Sequence, residues 1–522
     1  MPAYLTQHLS RAIRHSPDRI ATVFGNRKRT YAELGERVAR LANGFRSLGI
    51  EKGDRVALLA LNCDRYLEYF LAVFRIGAVA NPVNTRWSEK EILFSLEDCE
   101  TTVLLVDDTF REMGERLRAA APDLLRTLIY AGDESVPTEM ISYEALIADS
   151  AALPQTTSDE DGDQLAGIFY TGGTTGFPKG VMVTQNTLNA SAAGRIMAGS
   201  GPGAVSLHAA PLFHLAGGLG MWSALAVGGT HVFLPSFDPR AAMVLIERER
   251  VNDTLIVPTM VQMILDHPEF HSFDLSSLEW VVYGAAPISE TLLDRAVASL
   301  PNIRFTQGYG MTELSGGVVF LPPAYHTAEG RRAGKLKSAG RAGLLAEAKI
   351  VDSAGNEVSR GQVGEIAIRG GAVMLGYWNR PEETAETLRD GWVYSKDMAY
   401  MDDDGFIYIV DRLKDMIVSG GENVYSAEVE NALVKHPTVS QCAVIGIPNE
   451  RWGESVHAVV VRKPGGEIDA DTLIAHCKTL IANYKCPRSV EFRDALPLSA
   501  AGKILKHELR AGFWKGASRQ VN

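Results

Sequence analysis

The sequence has few cysteines and no excess of positive charge. Its five cysteines are scattered without CxxC spacing, which argues against a disulfide framework or a zinc site and fits reduced thiols in the cytosol. Against 63 Asp and Glu there are only 52 Lys and Arg, which gives a net charge of −11. Phosphate recognition along a nucleic acid needs a strong local excess of Lys and Arg, so we do not expect a general nucleic-acid binder.

Long apolar runs are also missing. The first twenty residues mix charged with apolar side chains and lack the continuous apolar segment of a secretory signal. The most apolar stretch, residues 215–229, has fifteen residues, many of them Gly or Ala. It is short for a bilayer span and predicts a buried helix instead. GxSxG and HExxH hydrolase motifs are absent. The sequence therefore predicts a cytoplasmic protein with no stable membrane insertion.

The length and patterning predict several structural units. With 522 residues, 46% of them hydrophobic and 22% charged, the chain has an ordinary globular composition and can form two to four units. Apolar runs such as residues 55–60 alternate with helical patterns such as 66–75, which indicates α/β layers. Residues 356–369 instead suggest a small antiparallel sheet or barrel. We predict an α/β fold: a large N-terminal body of several subdomains with layered α/β sheets and a small β-barrel-like part over residues 1–413, and a small α+β C-terminal domain over 414–522.

A glycine-rich and threonine-rich loop carries the strongest chemical signal. Residues 168–180, IFYTGGTTGFPKG, read as a strand that runs into this loop. Its glycines let backbone N–H groups turn inward, its hydroxyls add donors and Lys179 adds positive charge, all of which suits phosphate. Composition alone would also fit a simple turn. The loop is not a Walker A motif, because Pro178 precedes the lysine and no Ser or Thr follows it.

This loop, at residues 170–180, resembles the phosphate loop of the adenylate-forming superfamily, which includes acyl-CoA synthetases, coumarate-CoA ligases, peptide-synthetase adenylation domains and luciferases. Six further segments resemble motifs of the superfamily in the same order: 284–287 (GAAP), 307–313 (QGYGMTE), 376–381 (GYWNRP), 411–415 (DRLKD), 420–423 (GGEN) and 497–503 (PLSAAGK). The resemblance covers essentially the whole chain. It implies an ATP-dependent, AMP-forming acyl-CoA synthetase, which is an acid–thiol ligase.

The resemblance implies a nucleotide site. Tyr309, on a glycine-flanked turn, can stack on adenine, with the small residues 284–286 on the other side. Asp397 can accept hydrogen bonds from the ribose hydroxyls, and Arg412 can donate to the same sugar. The implied ATP-binding residues are Thr171, Gly172, Gly173, Thr174, Thr175, Gly176, Lys179, Gly284, Ala285, Ala286, Gln307, Gly308, Tyr309, Gly310, Met311, Thr312, Asp397, Arg412 and Lys503.

The implied catalytic residues are Lys503, Thr312 and His214. Lys503 would reach both the α-phosphate and the substrate carboxylate, where a fixed cation stabilises the charge that builds as the two anions react. Thr312 would hold the α-phosphate, and Glu313 would supply a hard carboxylate oxygen to Mg²⁺. His214 resembles the histidine that the family places beside the substrate carboxylate.

The C-terminal domain of the family is mobile. It rotates about a hinge that matches Lys414, so that one site performs two reactions in turn. Gly420 and Gly421 lack side chains and suit a narrow pantetheine tunnel, and Glu422 is included in this CoA site. The expected partners are ATP, Mg²⁺, CoA and a small carboxylic acid, and the prediction leaves a homodimer open.

The acid pocket is expected from residues 211–222, the segment near Tyr283, and residues 314–318, nearly all of which are apolar or small. No Arg or Lys lies in these segments to pair with a second carboxylate, so diacids and free amino acids are disfavoured. The predicted acid is hydrophobic and monocarboxylic, either a medium-chain or longer fatty acid or an aryl-propenoic acid. The expected pocket residues are Phe213, His214, Gly218, Trp222, Tyr283, Gly308 and Leu314.

Two positions depart from the family's pattern. Gly172 stands where the family often has Ser, which removes one hydroxyl from the phosphate loop but leaves the backbone donors. Lys396 replaces a glycine two positions after Tyr394, in the ribose motif, and would be strained if that position needs a positive φ. We expect these two departures to affect the affinity for ATP and not the class of reaction.

Three other functions compete with the CoA ligase. The first is acyl adenylation that loads a carrier protein in trans. The second is a luciferase-like oxygenase, which uses the same fold for a different second reaction, although the sequence has no positive sign of it. The third is a non-catalytic nucleotide binder, which the presence of both Lys503 and Glu313 disfavours.

Overall fold

The structure is a computed structural model that describes most of the chain. The described residues are 4–152, 162–171, 178–199, 201–286, 288–412, 415–419, 422–449, 451–499 and 502–514, with Arg412 and Asn423 described in their backbone only. Within these ranges, none of the helices combines the length and the apolar character that crossing a bilayer would require.

The helices alternate with strands along the N-terminal four-fifths of the chain, as the sequence predicts. The helices are α1 (Leu5–His15), α2 (Tyr31–Ser47), α3 (Asp64–Arg75), α4 (Glu89–Asp98), α5 (Arg111–Ala120), α6 (Tyr143–Asp149), α7 (Gln185–Met197), α8 (Leu215–Ala226), α9 (Pro239–Glu249), α10 (Pro258–Leu265), α11 (Glu290–Ser299), α12 (Ala328–Arg332), α13 (Pro381–Thr387), α14 (Ser426–Val434), α15 (Ala470–Lys478) and α16 (Lys506–Ala511).

The strands form two large sheets and two small ones in the described part of the chain. They are β1 (Ile20–Phe24), β2 (Arg27–Thr30), β3 (Arg55–Leu59), β4 (Val79–Pro82), β5 (Val103–Val106), β6 (Thr127–Tyr130), β7 (Ile141–Ser142), β8 (Leu165–Thr171), β9 (Lys179–Thr184), β10 (Val205–His208), β11 (Thr230–Phe233), β12 (Asp253–Ile256), β13 (Trp280–Gly284), β14 (Arg304–Met311), β15 (Gly316–Leu321), β16 (Arg341–Ala342), β17 (Ala346–Val351), β18 (Gly364–Gly370), β19 (Gly376–Tyr377), β20 (Leu388–Arg389), β21 (Trp392–Met401), β22 (Ile407–Arg412), β23 (Ile417–Ser419), β24 (Glu422–Val424), β25 (Val439–Asn449), β26 (Gly453–Arg462) and β27 (Ser489–Arg493).

The two large sheets carry a helical layer between them. The first sheet has the order β16-β15-β14-β13-β12-β10-β11-β1-β2, and the second β19-β9-β8-β4-β3-β5-β6-β7. Helices α1, α2, α3 and α8 bury their apolar side chains in one core between the sheets. Helix α8 is apolar on all sides, as is typical of a helix that other parts of the protein surround. This confirms the buried helix that residues 215–229 predict.

The two small sheets complete the predicted α/β architecture. Strands β17-β18-β21-β20, with β22 on β21, form an antiparallel sheet, which confirms the small antiparallel part expected around residues 356–369. Strands β24-β23-β26-β25, with β27 on β26, pack with α14 and α15 around a separate core. The boundary between domains at residue 414 stays a prediction, because residues 413 and 414 lie outside the described ranges.

Candidate active site

The two ends of the predicted phosphate loop lie on neighbouring strands. Thr171 ends β8 and pairs with Lys179, which begins the antiparallel strand β9. The Lys179 ammonium lies 5.4 Å from the centre of the Tyr377 ring and 3.8 Å from a carboxylate oxygen of Glu383. The loop residues themselves, Gly172, Gly173, Thr174, Thr175 and Gly176, lie outside the described residues.

Glu313 lies in a short turn directly after β14 and is buried. Its Oε1 accepts a 2.7 Å hydrogen bond from the Tyr377 hydroxyl. Burial, with the neighbouring Glu313 carboxylate as a smaller cause, raises the pKa of Tyr377, which keeps the phenol protonated as a donor. A carboxylate held by one hydrogen bond keeps further lone pairs for a hard cation. Lys179, Tyr377 and Glu313 therefore form one contiguous polar group.

Glycines allow close approach of backbone at the carboxyl ends of β13 and β14. Gly284 pairs with Gly308, and a Cβ on Gly284 would overlap the Gly308 carbonyl oxygen. A Cβ on Gly310 would likewise overlap the Gly316 carbonyl oxygen on β15. The following Ala285 has a φ of +63°. The strand ends next to Tyr309 therefore carry little side-chain bulk.

Tyr309 and Asp397, which come from distant parts of the chain, are brought together. The Tyr309 hydroxyl donates to Asp397 Oδ2 at 2.7 Å, and the Asp397 side chain is buried. Asp397 also lies opposite Arg412 in the β21–β22 register. The predicted adenine and ribose residues therefore share one corner, although the side chain of Arg412 lies outside what the structure describes.

Lys396 has a φ of +60°, in the left-handed region that favours glycine. This position therefore does need the positive φ that the sequence raised as a concern. The cost of placing a non-glycine residue there is about 1–2 kcal/mol. The Lys396 N–H donates to Glu365 Oε1 at 2.7 Å, which helps to fix the turn and the adjacent Asp397.

His214 lies at the N-terminal end of α8, against the ring of Phe213 at 4.5 Å between ring centres. Burial, with the positive charges of Lys503 and Arg86 as smaller causes, lowers the pKa of His214 to about 4. The imidazole is therefore neutral at physiological pH. Its Nε2 is buried and has no hydrogen-bond partner among the described residues, so it can bind a group that enters the site.

The loop that carries Lys503 rests on the N-terminal body. Arg86 donates to the Ser499 carbonyl at 3.0 Å, and the Lys503 N–H donates to Ser499 Oγ at 3.1 Å. A Cβ on Gly502 would lie 2.8 Å from Thr259 Oγ1 on the body. This docking brings Lys503 close enough to His214 for its charge to act on the imidazole.

The predicted acid-pocket residues do not all lie in the same place. Phe213 is buried near the amino end of α8, and Leu314 is buried directly after β14. Trp222 is buried deeper, in the core between the large sheets, with its ring edge-on to Phe70 at 5.0 Å. Its Nε1 lies 3.1 Å from where a Cβ on Gly218 would be, so Trp222 packs directly against that glycine.

The structure places Tyr283 away from the other residues of the predicted acid pocket, which corrects that prediction. Successive strand residues point to opposite faces, and Tyr283 packs in the core on the far side of the first sheet, where its hydroxyl lies 2.9 Å from His326 Nε2. Its neighbour Val282 packs with Leu219 of α8. The residue of β13 that faces α8, on which most of the predicted acid pocket lies, is therefore Val282 and not Tyr283.

Sequence reasoning missed Tyr377 and Arg86. Tyr377 belongs to the GYWNRP motif, and its place beside a carboxylate and a lysine appears only once β19 pairs with β9. Arg86 carries no motif signal. In the predicted CoA site, Glu422 is exposed on β24, whereas Gly420, Gly421 and the hinge Lys414 lie outside the described residues.

Two family profiles match the chain. The profile described as "AMP-binding enzyme" matches residues 9–378, and "AMP-binding enzyme C-terminal domain" matches residues 428–503. The first match alone covers more than half of the 522 residues.

Similar proteins cover almost the full length. A feruloyl-CoA synthase from Amycolatopsis sp is 43% identical over 96% of this chain and 98% of its own. A fatty acid–[acyl-carrier-protein] ligase, ScoC, from Streptomyces coeruleorubidus is 36% identical over 99% of this chain and 98% of its own. The solved structure of the amide bond synthetase McbA from Marinactinospora thermotolerans superposes with a TM-score of 0.87 at 30% identity, covering 98% of this chain and 100% of that one.

Proposed function

The chain belongs to the AMP-binding enzyme family of the adenylate-forming superfamily, and we propose that it converts an aryl-propenoic acid of the ferulate type into its CoA thioester. Its enzyme class is that of the AMP-forming acyl-CoA synthetases, which use ATP and CoA, as predicted. The observation that carries the choice of acid is the 43% identity to a feruloyl-CoA synthase, against 34–36% to relatives that act on fatty acids.

In the first step, a carboxylate oxygen of the acid attacks the α-phosphorus of ATP. The bond between this phosphorus and pyrophosphate breaks, and an acyl-adenylate and pyrophosphate result. Lys503, docked near His214, is the cation for the five-coordinate transition state. The neutral His214 lies beside the carboxylate, and Thr312 donates to the α-phosphate.

The group of Lys179, Tyr377 and Glu313 is proposed to hold the triphosphate end. Glu313, oriented by Tyr377, fits Mg²⁺ because it offers a fixed carboxylate oxygen in a phosphate-binding corner. When bound, Mg²⁺ would neutralise charge on the phosphates and on the departing pyrophosphate. Lys179 adds a cation from the end of the phosphate loop, and the loop residues 172–176 add N–H and hydroxyl donors.

The Tyr309–Asp397 corner is proposed to hold the nucleoside. The buried Asp397 carboxylate keeps acceptor capacity beyond its bond from Tyr309, so it can accept from ribose hydroxyls, and Arg412 on the paired strand can donate to the same sugar. The glycine wall of Gly284, Ala285 and Ala286 leaves room for adenine against the Tyr309 ring.

In the second step, the CoA thiolate attacks the acyl carbon and AMP leaves. We propose that the domain of residues 414–522 rotates about Lys414 for this step and presents residues 420–422 to CoA. The hydrogen bond from the exposed Arg86 to the Ser499 carbonyl holds the Lys503 loop on the N-terminal body, so this bond would have to break when the domain rotates. The homodimer and the cytoplasmic location remain predictions from the sequence.

A panel of acids tests the acid class. Initial rates of ATP- and CoA-dependent thioester formation would be measured for ferulate, 4-hydroxycinnamate, cinnamate, octanoate and palmitate. We expect kcat/KM for the two hydroxylated aryl acids to exceed that for either fatty acid by at least about tenfold, which is 1.4 kcal/mol. Preference for a fatty acid would contradict the proposed acid class. Acyl-adenylate without any thioester would favour carrier loading or amide synthesis.

A further inference from the structure

A small cavity lies under helix α8. Its floor is the first sheet, with Leu255 on β12, and its roof is the glycine face of α8 at Gly217 and Gly220. The cavity has room for about one water molecule or one hydroxyl group. It is unusual in this apolar region because four of its lining side chains are polar, namely Arg195, Ser206, His208 and Asp253.

The charges at the deep end of this cavity cancel. Arg195 donates to Asp253 Oδ1 at 2.7 Å, and Ser206 Oγ donates to Asp253 Oδ2. The Arg195 guanidinium also lies 4.8 Å from the centre of the Trp280 ring. The cavity therefore carries one buried ion pair and no net charge, so it suits a neutral polar group rather than a carboxylate.

His208 offers one ring nitrogen to the cavity. Its Nε2 lies 2.9 Å from His231 Nδ1, and its Nδ1 lies 3.9 Å from where a Cβ on Gly220 would be. Burial lowers the pKa of both histidines, that of His231 to about 3, so both are neutral at physiological pH.

The surroundings of His231 Nε2 indicate which tautomers His231 and His208 adopt. His231 Nε2 is buried and has no partner among the described residues. We assign the His231 proton to Nδ1, where it is donated to His208 Nε2, because this choice leaves an acceptor and not an N–H without a partner at Nε2. His208 then carries its own proton on Nδ1 and directs an N–H at the space beside Gly220.

The separation of His214 and Gly220 along α8 can be compared with the length of an arylpropenoic acid. Gly220 is six residues along α8 from His214, which corresponds to about 9 Å of helix rise. In a trans 3-arylpropenoic acid, the para oxygen lies roughly 8 Å from the carboxyl carbon, judged from standard bond lengths. The length of the acid therefore matches the separation of His214 and Gly220 along the helix axis.

We propose that the cavity under α8 is the subsite for the para-hydroxyl of the acid's aromatic ring, with the His208 Nδ1–H as the donor to the phenol oxygen. This inference rests on the proposed function and extends it to a specificity-determining residue. The absence of a side chain at Gly220 opens the path between ring and histidine. The Asp253 carboxylate, which has lone pairs beyond the two it uses, is the acceptor at the deep end of the same cavity.

The wild-type enzyme provides the first test. The ratio of kcat/KM for 4-hydroxycinnamate to that for unsubstituted cinnamate is expected to be about tenfold or more, because cinnamate would leave the His208 N–H unpaired. The 4-carboxy analogue should be a poor substrate, since a second carboxylate would be buried beside a carboxylate that is already paired.

The variant Gly220→Ala provides the second test. Its added methyl would meet Leu255 and His208 at ordinary contact distances of 3.7 and 3.9 Å, so the fold is retained while the path to His208 is filled. We expect the hydroxyl preference to fall to about twofold or less through a loss of kcat/KM for 4-hydroxycinnamate alone. Gly201→Ala, whose Cβ would enter open space, is the matched control and should keep the wild-type ratio.

The outcomes separate this inference from the proposed function. Aryl-propenoic acids that are activated equally well with or without the hydroxyl would overturn the subsite and leave the proposed function standing. An unchanged preference in Gly220→Ala would overturn it too. Failure to activate any aryl-propenoic acid would overturn the proposed function itself.

Discussion

Lys503→Ala is expected to slow acid-dependent pyrophosphate release by at least about 100-fold. The variant should still form thioester from supplied acyl-adenylate and CoA at a rate within about twofold of the wild type, because the lysine serves only the first step. Both half-reactions would be followed separately, the first by pyrophosphate release and the second by mass spectrometry of the thioester.

The physical reason for this split is the position of the loop. Lys503 is held beside His214 through the contacts of Ser499 with Arg86, and a cation fixed there stabilises the charge on the α-phosphate only while the two domains are docked. Lys463, exposed on the same domain, gives the control variant Lys463→Ala, which should leave both half-reactions unchanged. Equal loss in the two half-reactions would show that Lys503 maintains the fold or the CoA site instead.

Glu313→Gln is expected to lower kcat for adenylation by about 100-fold and to raise the Mg²⁺ concentration required for half-maximal rate. The amide keeps the size of the side chain and can still accept from Tyr377, but it loses the negative charge that attracts a divalent cation. The measurement is pyrophosphate release as a function of Mg²⁺ at saturating ATP.

Two further variants sharpen the Glu313 test. Tyr377→Phe keeps the Glu313 carboxylate but removes the hydroxyl that orients it and that also bonds Thr387, and it should give a smaller loss, about tenfold. Glu386→Gln changes an exposed carboxylate on nearby α13 and should have no effect. If Glu313→Gln kept the wild-type Mg²⁺ dependence, Glu313 would not be the metal ligand.

Local patterns predicted the layered architecture. Residues 215–229 predicted a buried helix because an all-apolar stretch too short for a membrane has few other stable environments, and α8 is that helix. Lys396 was suspect because a lysine stands where the family has glycine, and its φ of +60° gives the reason. These features are local, so the sequence around them carries enough information.

Features that depend on distant pairing were not predictable. Tyr283 and Val282 are neighbours on β13, and their side chains point to opposite faces of the sheet. Which of the two faces α8 depends on packing against α8 and His326, which lie far away in the sequence. Tyr377 reaches Glu313 only through the pairing of β19 with β9. The cavity under α8 joins residues from four separate elements, and no spacing in the sequence brings Arg195, His208 and Asp253 together.

Isotope transfer tests the central claim of an acyl-adenylate most directly. The substrate acid would be labelled with oxygen-18 in its carboxylate and converted with ATP and CoA, and the nucleotide and phosphate products would be weighed by mass spectrometry. The proposed mechanism predicts that one labelled oxygen appears in AMP, since the carboxylate oxygen bonds to the α-phosphorus and stays there when the thiol attacks. Label in inorganic phosphate, accompanied by ADP, would contradict it.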